Sequence, residues 1–295
     1  DLGTGRTATV ISAGDSHTCA LLDNSAVKCW GANASGQLGL GDTSSRGDGS
    51  SEMGDNLTVI DLGSGKTVRA IEAGYNHTCA ILDNASVKCW GSNAYGQLGL
   101  GDTSSRGDGS SEMGDNLVVI DLGSGRTAKF ITTGTGYSCA VLDDDSVKCW
   151  GRGNVGQLGH GKTTSVDSPP NSSIDLGTGR TAQLVAAGNS HTCVILDNSS
   201  IKCWGFNEAG QLGQGDTSNR GDGSNEMDDN LPVVNLGSGK TVRGISTGDS
   251  HTCTVLDNAS VKCWGKNDSG QLGLGNTNTL GDGSGEMGDN LPAIS

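Results

Sequence analysis

Apolar and polar residues follow one recurring pattern along this chain. In its first copy an apolar run, His17 to Leu22, ends at Asp23-Asn24, and a second run continues from Val27 to Trp30. Asp and Asn are favoured turn residues, and the runs on either side have the length of short strands. The pattern occurs five times and predicts a β-hairpin in each copy.

The predicted turn sets the register of the hairpin. With the turn centred on Asn24, Leu21 lies opposite Val27 and Cys19 lies opposite Cys29. Opposed residues of an antiparallel pair lie about 4.5 to 5.5 Å apart at Cα, and a disulfide accepts roughly 4.4 to 6.8 Å. The pattern therefore predicts one disulfide in each hairpin. The five predicted pairs are Cys19 with Cys29, Cys79 with Cys89, Cys139 with Cys149, Cys193 with Cys203, and Cys253 with Cys263.

Side-chain alternation gives each hairpin two faces that both need cover. In the first copy Cys19, Leu21, Val27 and Cys29 share one face, and Ala20, Leu22, Lys28 and Trp30 share the other. Stacked copies of the hairpin can cover one another, as in repeat proteins.

Five repeats account for the whole chain. Each contains a glycine-rich turn, an apolar strand, the hairpin, a Gly-Gln-Leu-Gly turn that holds one leucine (Leu38 in the first copy), a polar loop and a fourth extended segment (Leu57 to Ile60). No helical period appears, so the prediction is a single all-β repeat domain with four strands per repeat. The repeats span 1–60, 61–120, 121–174, 175–234 and 235–295.

The motifs Gly-x-x-His-Thr-Cys, Val-Lys-Cys-Trp-Gly, Asn-x-x-Gly-Gln-Leu-Gly and Gly-Asp resemble repeats of the regulator of chromosome condensation family. The resemblance covers essentially the whole chain and implies a β-propeller of four-stranded antiparallel blades. Members of that family commonly have seven blades. A whole number of repeats suits a closed ring, so we expect a five-bladed one; a section of a larger propeller and an open array are the alternatives.

Cysteine usage and charge restrict the location and the partners. Ten cysteines in five pairs indicate an oxidising compartment and hence an extracellular or cell-surface protein, similar to secreted relatives of the family. A formal net charge of −14 argues against nucleic acid and anionic membrane surfaces as partners. No segment approaches the roughly 18 apolar residues of a membrane span.

Metal sites are weakly indicated. Acidic residues of the polar loop offer the hard oxygen ligands that calcium prefers, but their spacing does not match an EF-hand, and an acidic loop bonded to its own backbone is the competing interpretation. Zinc would need more closely spaced cysteines, and four equivalent histidines are better explained as partners of loose backbone groups. The calcium candidates are Asp48, Glu52, Asp55, Asp108, Glu112, Asp115, Asp222, Glu226 and Asp229; the histidines are His17, His77, His191 and His251. No other cofactor is expected.

Two further motifs concern the cell surface. Asn-x-Ser/Thr sequons predict glycans if the source is eukaryotic, with Asn84 and Asn258 in the hairpin turns as the best candidates, followed by Asn33, Asn198 and Asn267. Arg-Gly-Asp begins at Arg46, Arg106 and Arg220, but repeat five keeps Gly-Asp without the arginine, which indicates a structural turn rather than an integrin ligand.

A catalytic set is not evident, because nearly every polar residue has equivalents in other repeats. Repeat three is the exception, with Thr135-Gly136-Tyr137 in place of the Gly-x-x-His frame and a shorter loop, Lys162 to Ser173. We interpret it as a contact surface. The predicted function is a non-enzymatic extracellular scaffold that binds proteins or assembles with itself, for example into a surface appendage or filament, with glycans as a further class of partner. The alternatives are a propeller hydrolase or lyase with its site near repeat three and, by family analogy, a guanine-nucleotide exchange factor.

Overall fold

The computed structural model describes residues 1–294, and over that range each repeat forms one three-stranded antiparallel sheet in chain order. The strands are β1 Ala8–Ala13, β2 His17–Leu22, β3 Val27–Gly31, β4 Val68–Ala73, β5 His77–Leu82, β6 Val87–Gly91, β7 Ala128–Thr133, β8 Tyr137–Leu142, β9 Val147–Gly151, β10 Ala182–Ala187, β11 His191–Leu196, β12 Ile201–Gly205, β13 Val242–Thr247, β14 His251–Leu256 and β15 Val261–Gly265. Short 3-10 turns occur at Gly54–Asn56, Gly114–Asn116, Asp228–Asn230 and Gly288–Asn290.

The hairpin register is as predicted. Leu21 pairs with Val27 and Cys19 with Cys29 across β2 and β3. The turn places Ser25 at φ 63° and closes with a hydrogen bond from the Leu22 amide to the Ala26 carbonyl. Alternation and turn chemistry thus determine which residues face each other across the hairpin.

All five predicted disulfides are present, one in each hairpin. The Cα–Cα distances are 4.0 to 4.1 Å, so each pair occupies directly opposed positions of its two strands. No cysteine of the described chain is free. The bonds join Cys19 to Cys29, Cys79 to Cys89, Cys139 to Cys149, Cys193 to Cys203, and Cys253 to Cys263.

The prediction of a fourth strand in each blade is wrong, since each sheet has three strands. The segment that ends at Ile60 makes one backbone hydrogen bond to β3, from the Ile60 amide to the Val27 carbonyl, and Arg46 forms an isolated bridge with Gly31. Between these two contacts the chain turns through the Gly54–Asn56 3-10 turn, and the Glu52 carboxylate accepts the backbone N–H of Gly47 and of Gly49. The loop therefore uses its backbone groups internally and leaves too few for a continuous ladder.

The two hairpin faces pack against each other between repeats. We call the set of Cys19, Leu21, Val27 and Cys29 the cysteine face, and that of Ala20, Leu22, Lys28 and Trp30 the tryptophan face, with the same names for the equivalents in other repeats. The cysteine face of repeat one and Leu38 share one core cluster with Ile71, Ala80, Leu82 and Trp90 of repeat two. Repeats two and three, and repeats four and five, form the same kind of cluster. Burial comes from thin interfaces between neighbouring sheets, as the sequence predicted.

Chain contacts divide the protein into two compact units. The first comprises Asp1–Asp143, Lys148–Arg152 and Ser165–Asn171, and the second Asp144–Val147, Gly153–Thr164 and Ser172–Ser295. The division passes through repeat three. Among the described residues no helix has the length and apolar character needed to cross a membrane.

Two apolar strand residues are exposed although their counterparts in a neighbouring repeat are buried. Ile11 on β1 is 67% exposed, whereas Ile71 at the same place in repeat two is 1% exposed. On β14, Val255 is 40% exposed, against 3% for Ile195 in repeat four.

Candidate functional site

An exposed aromatic residue and an arginine meet where repeat two adjoins repeat three. Tyr95 follows β6 and is 47% exposed, and the guanidinium carbon of Arg152 lies 5.4 Å from the centroid of its ring. A cation over an aromatic face at this distance is attracted by the ring quadrupole. Tyrosine and arginine are also enriched at the centres of protein interfaces. The pair therefore combines an exposed aromatic ring with a half-buried arginine.

The singular segments of repeat three support this pair. A Cβ at Gly136 would lie 2.9 Å from Tyr95 Cδ2, so the absence of a side chain there allows the ring to approach. Gly96 packs in the same way against Asp167 from the shortened loop, and the Asp167 carbonyl accepts a hydrogen bond from the Gly101 amide at 2.9 Å. Sequence analysis singled out Gly136 and the loop from Lys162, and the structure places them against Tyr95 and Gly96. Tyr95 itself was not recognised from the sequence.

The histidines form hydrogen bonds between repeats. His17 Nε2 lies 2.9 Å from the Thr78 hydroxyl, which donates to the Gln37 carbonyl at 2.8 Å. The indole N–H of Trp90 donates to the same carbonyl at 3.0 Å. Because the Thr78 hydrogen is used on Gln37, the threonine oxygen accepts from His17, which is neutral with its proton on Nε2. We call this arrangement the glutamine contact.

The glutamine contact recurs with the same geometry. Repeats two and three use His77, Ser138, Trp150 and the Gln97 carbonyl, and repeats four and five use His191, Thr252, Trp264 and the Gln211 carbonyl. Burial lowers the pKa of His17 to about 4 and that of His77 to about 3. These neutral imidazoles are structural. Within residues 1–294 no group of three His, Cys, Asp or Glu side chains is placed to hold a metal ion.

The structure separates the residues proposed for calcium. Asp55 accepts the Thr4 amide at 2.8 Å and the Thr4 hydroxyl at 2.6 Å, which lowers its pKa. Glu52 turns the other way, and the backbone N–H groups of its own loop, that of Gly49 foremost, lower its pKa. Asp115 and Asp229 hold Ser64 and Thr178 as Asp55 holds Thr4, and Glu112 and Glu226 accept backbone N–H groups as Glu52 does. Each of these six acids thus has a local structural partner. Calcium binding by Asp48 and Glu52, Asp108 and Glu112, or Asp222 and Glu226 stays a prediction.

The Arg-Gly-Asp tripeptide is built into its own loop. Arg46 Nη2 lies 2.6 Å from Asp42 Oδ2, and its Nη1 donates to the carbonyls of Ser44 and Ser45. Its backbone bridges to Gly31. The guanidinium is therefore engaged within four residues of itself, in agreement with a structural turn.

Comparison with known proteins agrees with this architecture. The family model described as RCC1-like domain matches residues 2–284. The chain belongs to the RCC1-like domain family. The ultraviolet-B receptor UVR8 of Arabidopsis thaliana is 30% identical over 271 residues, which cover 90% of this chain and 54% of UVR8. The chain thus spans about half the length of that relative.

Two solved structures share the fold of this RCC1-like domain. Human WBSCR16 matches with a TM-score of 0.73 at 20% identity, over 98% of this chain and 67% of that chain. Yeast RCC1 (Prp20), in its complex with Kap60, matches with a TM-score of 0.72 at 17% identity, over 99% of this chain and 62% of that chain.

The sequons of this RCC1-like domain fall into two groups. Asn84 is exposed, and its side-chain oxygen accepts from the amide and hydroxyl of Ser86. Asn33 is fully buried, and its Nδ2 donates to the Asp42 carbonyl, the Asp42 carboxylate and the Ser44 carbonyl. A glycan must be attached through Nδ2, so the expectation for Asn33 is wrong, as it is for the equally buried Asn267. Glycosylation at Asn84, Asn198 and Asn258 stays a prediction.

Sequence analysis missed the role of the hairpin lysine. Lys28 is buried, and its Nζ donates to the carbonyls of Leu2 at 2.9 Å and of Gly54 at 2.7 Å. Lys28 therefore links the glycine-rich turn at the start of the repeat to the 3-10 turn near its end. Lysine at a fixed place on an otherwise apolar face of every hairpin was the signal available in the sequence.

Proposed function

We propose that this RCC1-like domain is a non-enzymatic scaffold of an oxidising, extracellular environment that binds other proteins through the surface around Tyr95 and Arg152. The observation that carries the proposal is the pair of exposed Tyr95 and half-buried Arg152, whose equivalents in repeat one are Ser35 and Ala32. Tyrosine and arginine are the residue types that most often dominate protein contacts, so a solvent-accessible pair of the two is the best candidate for a contact.

Further support comes from chemistry and from the family. A disulfide in every repeat suits an oxidising compartment, and free thiols in the purified protein would contradict that location. Yeast RCC1, which shares this fold, was solved bound to Kap60, so a protein that contains this fold can take part in a protein complex. Self-assembly into a filament and recognition of glycans are extensions of the same scaffold role.

Selection from a displayed peptide library tests the contact surface. We expect peptides that pair a carboxylate with an apolar residue to be enriched, since the carboxylate complements Arg152 and the apolar group covers Tyr95. The double variant Tyr95→Ser and Arg152→Ser, with residues that other repeats carry at these places, should weaken binding about tenfold or more.

The control is Phe206→Ser, the change of the residue that occupies the place of Arg152 in repeat four. It should leave the affinity of the selected peptides unchanged. A library that yields no enriched peptide, or peptides that bind the double variant as well as the native protein, would remove Tyr95 and Arg152 from the proposed function.

A further inference from the structure

An open groove lies between the loops of repeats one and two and has a volume of about 460 Å³. Leu40, Val59 and Met113 supply apolar side chains to its lining, and Val59 is 44% exposed. Ser110 and Ser111 add hydroxyl groups. Clefts that hold small ligands have volumes of about 300 to 1,000 Å³ and combine an apolar lining with a few polar groups. We call this cleft the Met113 groove.

Three charged side chains line the Met113 groove, and two of them neutralise each other. Arg46 Nη2 lies 2.6 Å from Asp42 Oδ2, so this arginine and this aspartate form an ion pair. Asp61 is the third. Lys88 is close enough to sense the charge of Asp61, but its Nζ is directed to two backbone carbonyls at 2.8 Å each. The lining thus has one carboxylate in excess, on a chain with a formal net charge of −14, and this charge attracts a cation.

The hydrogen bonding of Asp61 favours one kind of cation. Its Oδ1 accepts the Gly63 amide at 2.9 Å, so Oδ2 is the oxygen through which it can accept a donor from a ligand. A guanidinium binds a carboxylate best through both oxygens, whereas an ammonium group is a compact charge that needs only one. The four methylenes of a lysine side chain also match the apolar part of the lining. The groove therefore suits lysine better than arginine.

A second groove at the same positions, between repeats four and five, lacks this charge. Its volume is about 280 Å³, and Met287 and Asn235 stand where the first groove has Met113 and Asp61. The Asn235 side-chain oxygen accepts the Gly237 amide at 3.0 Å, as Asp61 accepts the amide of Gly63. The turn therefore needs an oxygen at this position but not a negative charge. The charge of Asp61 is available for a ligand.

We propose that the Met113 groove binds a lysine side chain of a partner protein, with the ammonium group at Asp61 and the methylenes against Leu40, Val59 and Met113. The lysine complements both the excess carboxylate and the apolar lining. This contact goes beyond the proposed function, because the groove shares no residue with the surface around Tyr95 and Arg152.

Methyl NMR of the methionines tests this site directly, since the chain has only four of them. The Met113 signal is assigned with Met113→Leu, and the probe is the blocked peptide Gly-Gly-Lys-Gly-Gly, titrated over the millimolar range. We expect a saturable shift of the Met113 methyl signal and no shift of the Met287 signal. The same peptide with norleucine, which keeps the methylenes but has no ammonium group, should bind about fivefold more weakly or worse. An arginine peptide should also bind more weakly than the lysine peptide.

Asp61→Asn keeps the turn, as Asn235 shows, and should weaken the lysine peptide about fivefold or more, to the level of the norleucine peptide. The matched control is Asp121→Asn, which makes the same change of charge in the same turn of repeat three and should leave binding unchanged. A Met113 signal that does not move, equal binding of the lysine and norleucine peptides, equal or tighter binding of the arginine peptide, or an Asp61→Asn variant that binds like the native protein would each overturn the proposal. The Tyr95→Ser and Arg152→Ser double variant should still show the Met113 shift, so the two proposals fail separately.

Discussion

Glu72 is an acid on β4 at a place where repeat one has Ser12 and repeat four has Ala186. It is half-buried, and the Ser12 hydroxyl donates to it at 3.4 Å. Burial raises the pKa of Glu72 from 4.5 to about 7, and the Ser12 hydrogen bond opposes this only partly. Below pH 4.5 the carboxyl is protonated in both the folded and the unfolded chain. As the pH rises from 4.5 through 7, the unfolded chain releases its proton first, and folding stability is lost.

We therefore predict that Glu72→Gln stabilises the protein at pH 8 by about 1 to 3 kcal/mol and has little effect at pH 4.5. Urea unfolding at the two pH values measures the difference. Glu208→Gln, at an exposed site, is the matched control and should not produce this pH-dependent gain. Equal stability of native protein and Glu72→Gln at pH 8 would show that the carboxyl is well solvated.

At the scale of elements, the turn after the hairpin depends on one asparagine in four of the five repeats, with Gly153 at this place in repeat three. Asn93 is fully buried, and its Nδ2 donates to the carbonyl and the carboxylate of Asp102 and to the Ser104 carbonyl. Its Oδ1 accepts the Leu98 amide at 3.0 Å. One side chain thus joins the Gly-Gln-Leu-Gly turn to the loop that follows it.

We predict that Asn93→Ala destabilises the protein by about 2 to 4 kcal/mol, because several buried backbone groups lose their partner together. Asn84→Ala, the same change in the exposed hairpin turn of the same repeat, should cost less than about 1 kcal/mol. Chemical denaturation of both variants gives the comparison. Similar losses in the two variants would indicate that water replaces the buried contacts.

The sequence predicts elements better where local chemistry decides them. The hairpin register follows from Asp23-Asn24 and alternation, and the disulfides follow from the register. The prediction of a fourth strand was wrong because Leu57 to Ile60 has the composition of a strand, but strand pairing also requires free backbone groups. The preceding loop uses its backbone groups in hydrogen bonds of its own. The predicted glycan on Asn33 was wrong for a related reason, since a sequon does not show that the side-chain nitrogen is hydrogen-bonded inside the loop. Tyr95 was not predicted as a site residue because its contacts, Arg152 and Gly136, belong to another repeat.

At the scale of the whole molecule, two opposing electrostatic terms act on folding. The chain carries a formal net charge of −14, so like charges repel one another in the compact state. Ion pairs such as Arg46 with Asp42 act in the opposite direction. Salt screens both terms, since the Debye length falls from about 10 Å at 0.1 M to about 3 Å at 1 M. Because acidic residues outnumber basic ones by 33 to 19, screening relieves more repulsion than attraction.

We therefore predict that the protein becomes more stable as sodium chloride is raised from low to high ionic strength. Urea unfolding at fixed protein concentration should show the midpoint of unfolding rising with salt, because screening weakens the repulsion among the acidic residues. A midpoint that falls with salt would mean that ion pairs such as Arg46 with Asp42, and not the net charge, dominate the electrostatics of the fold.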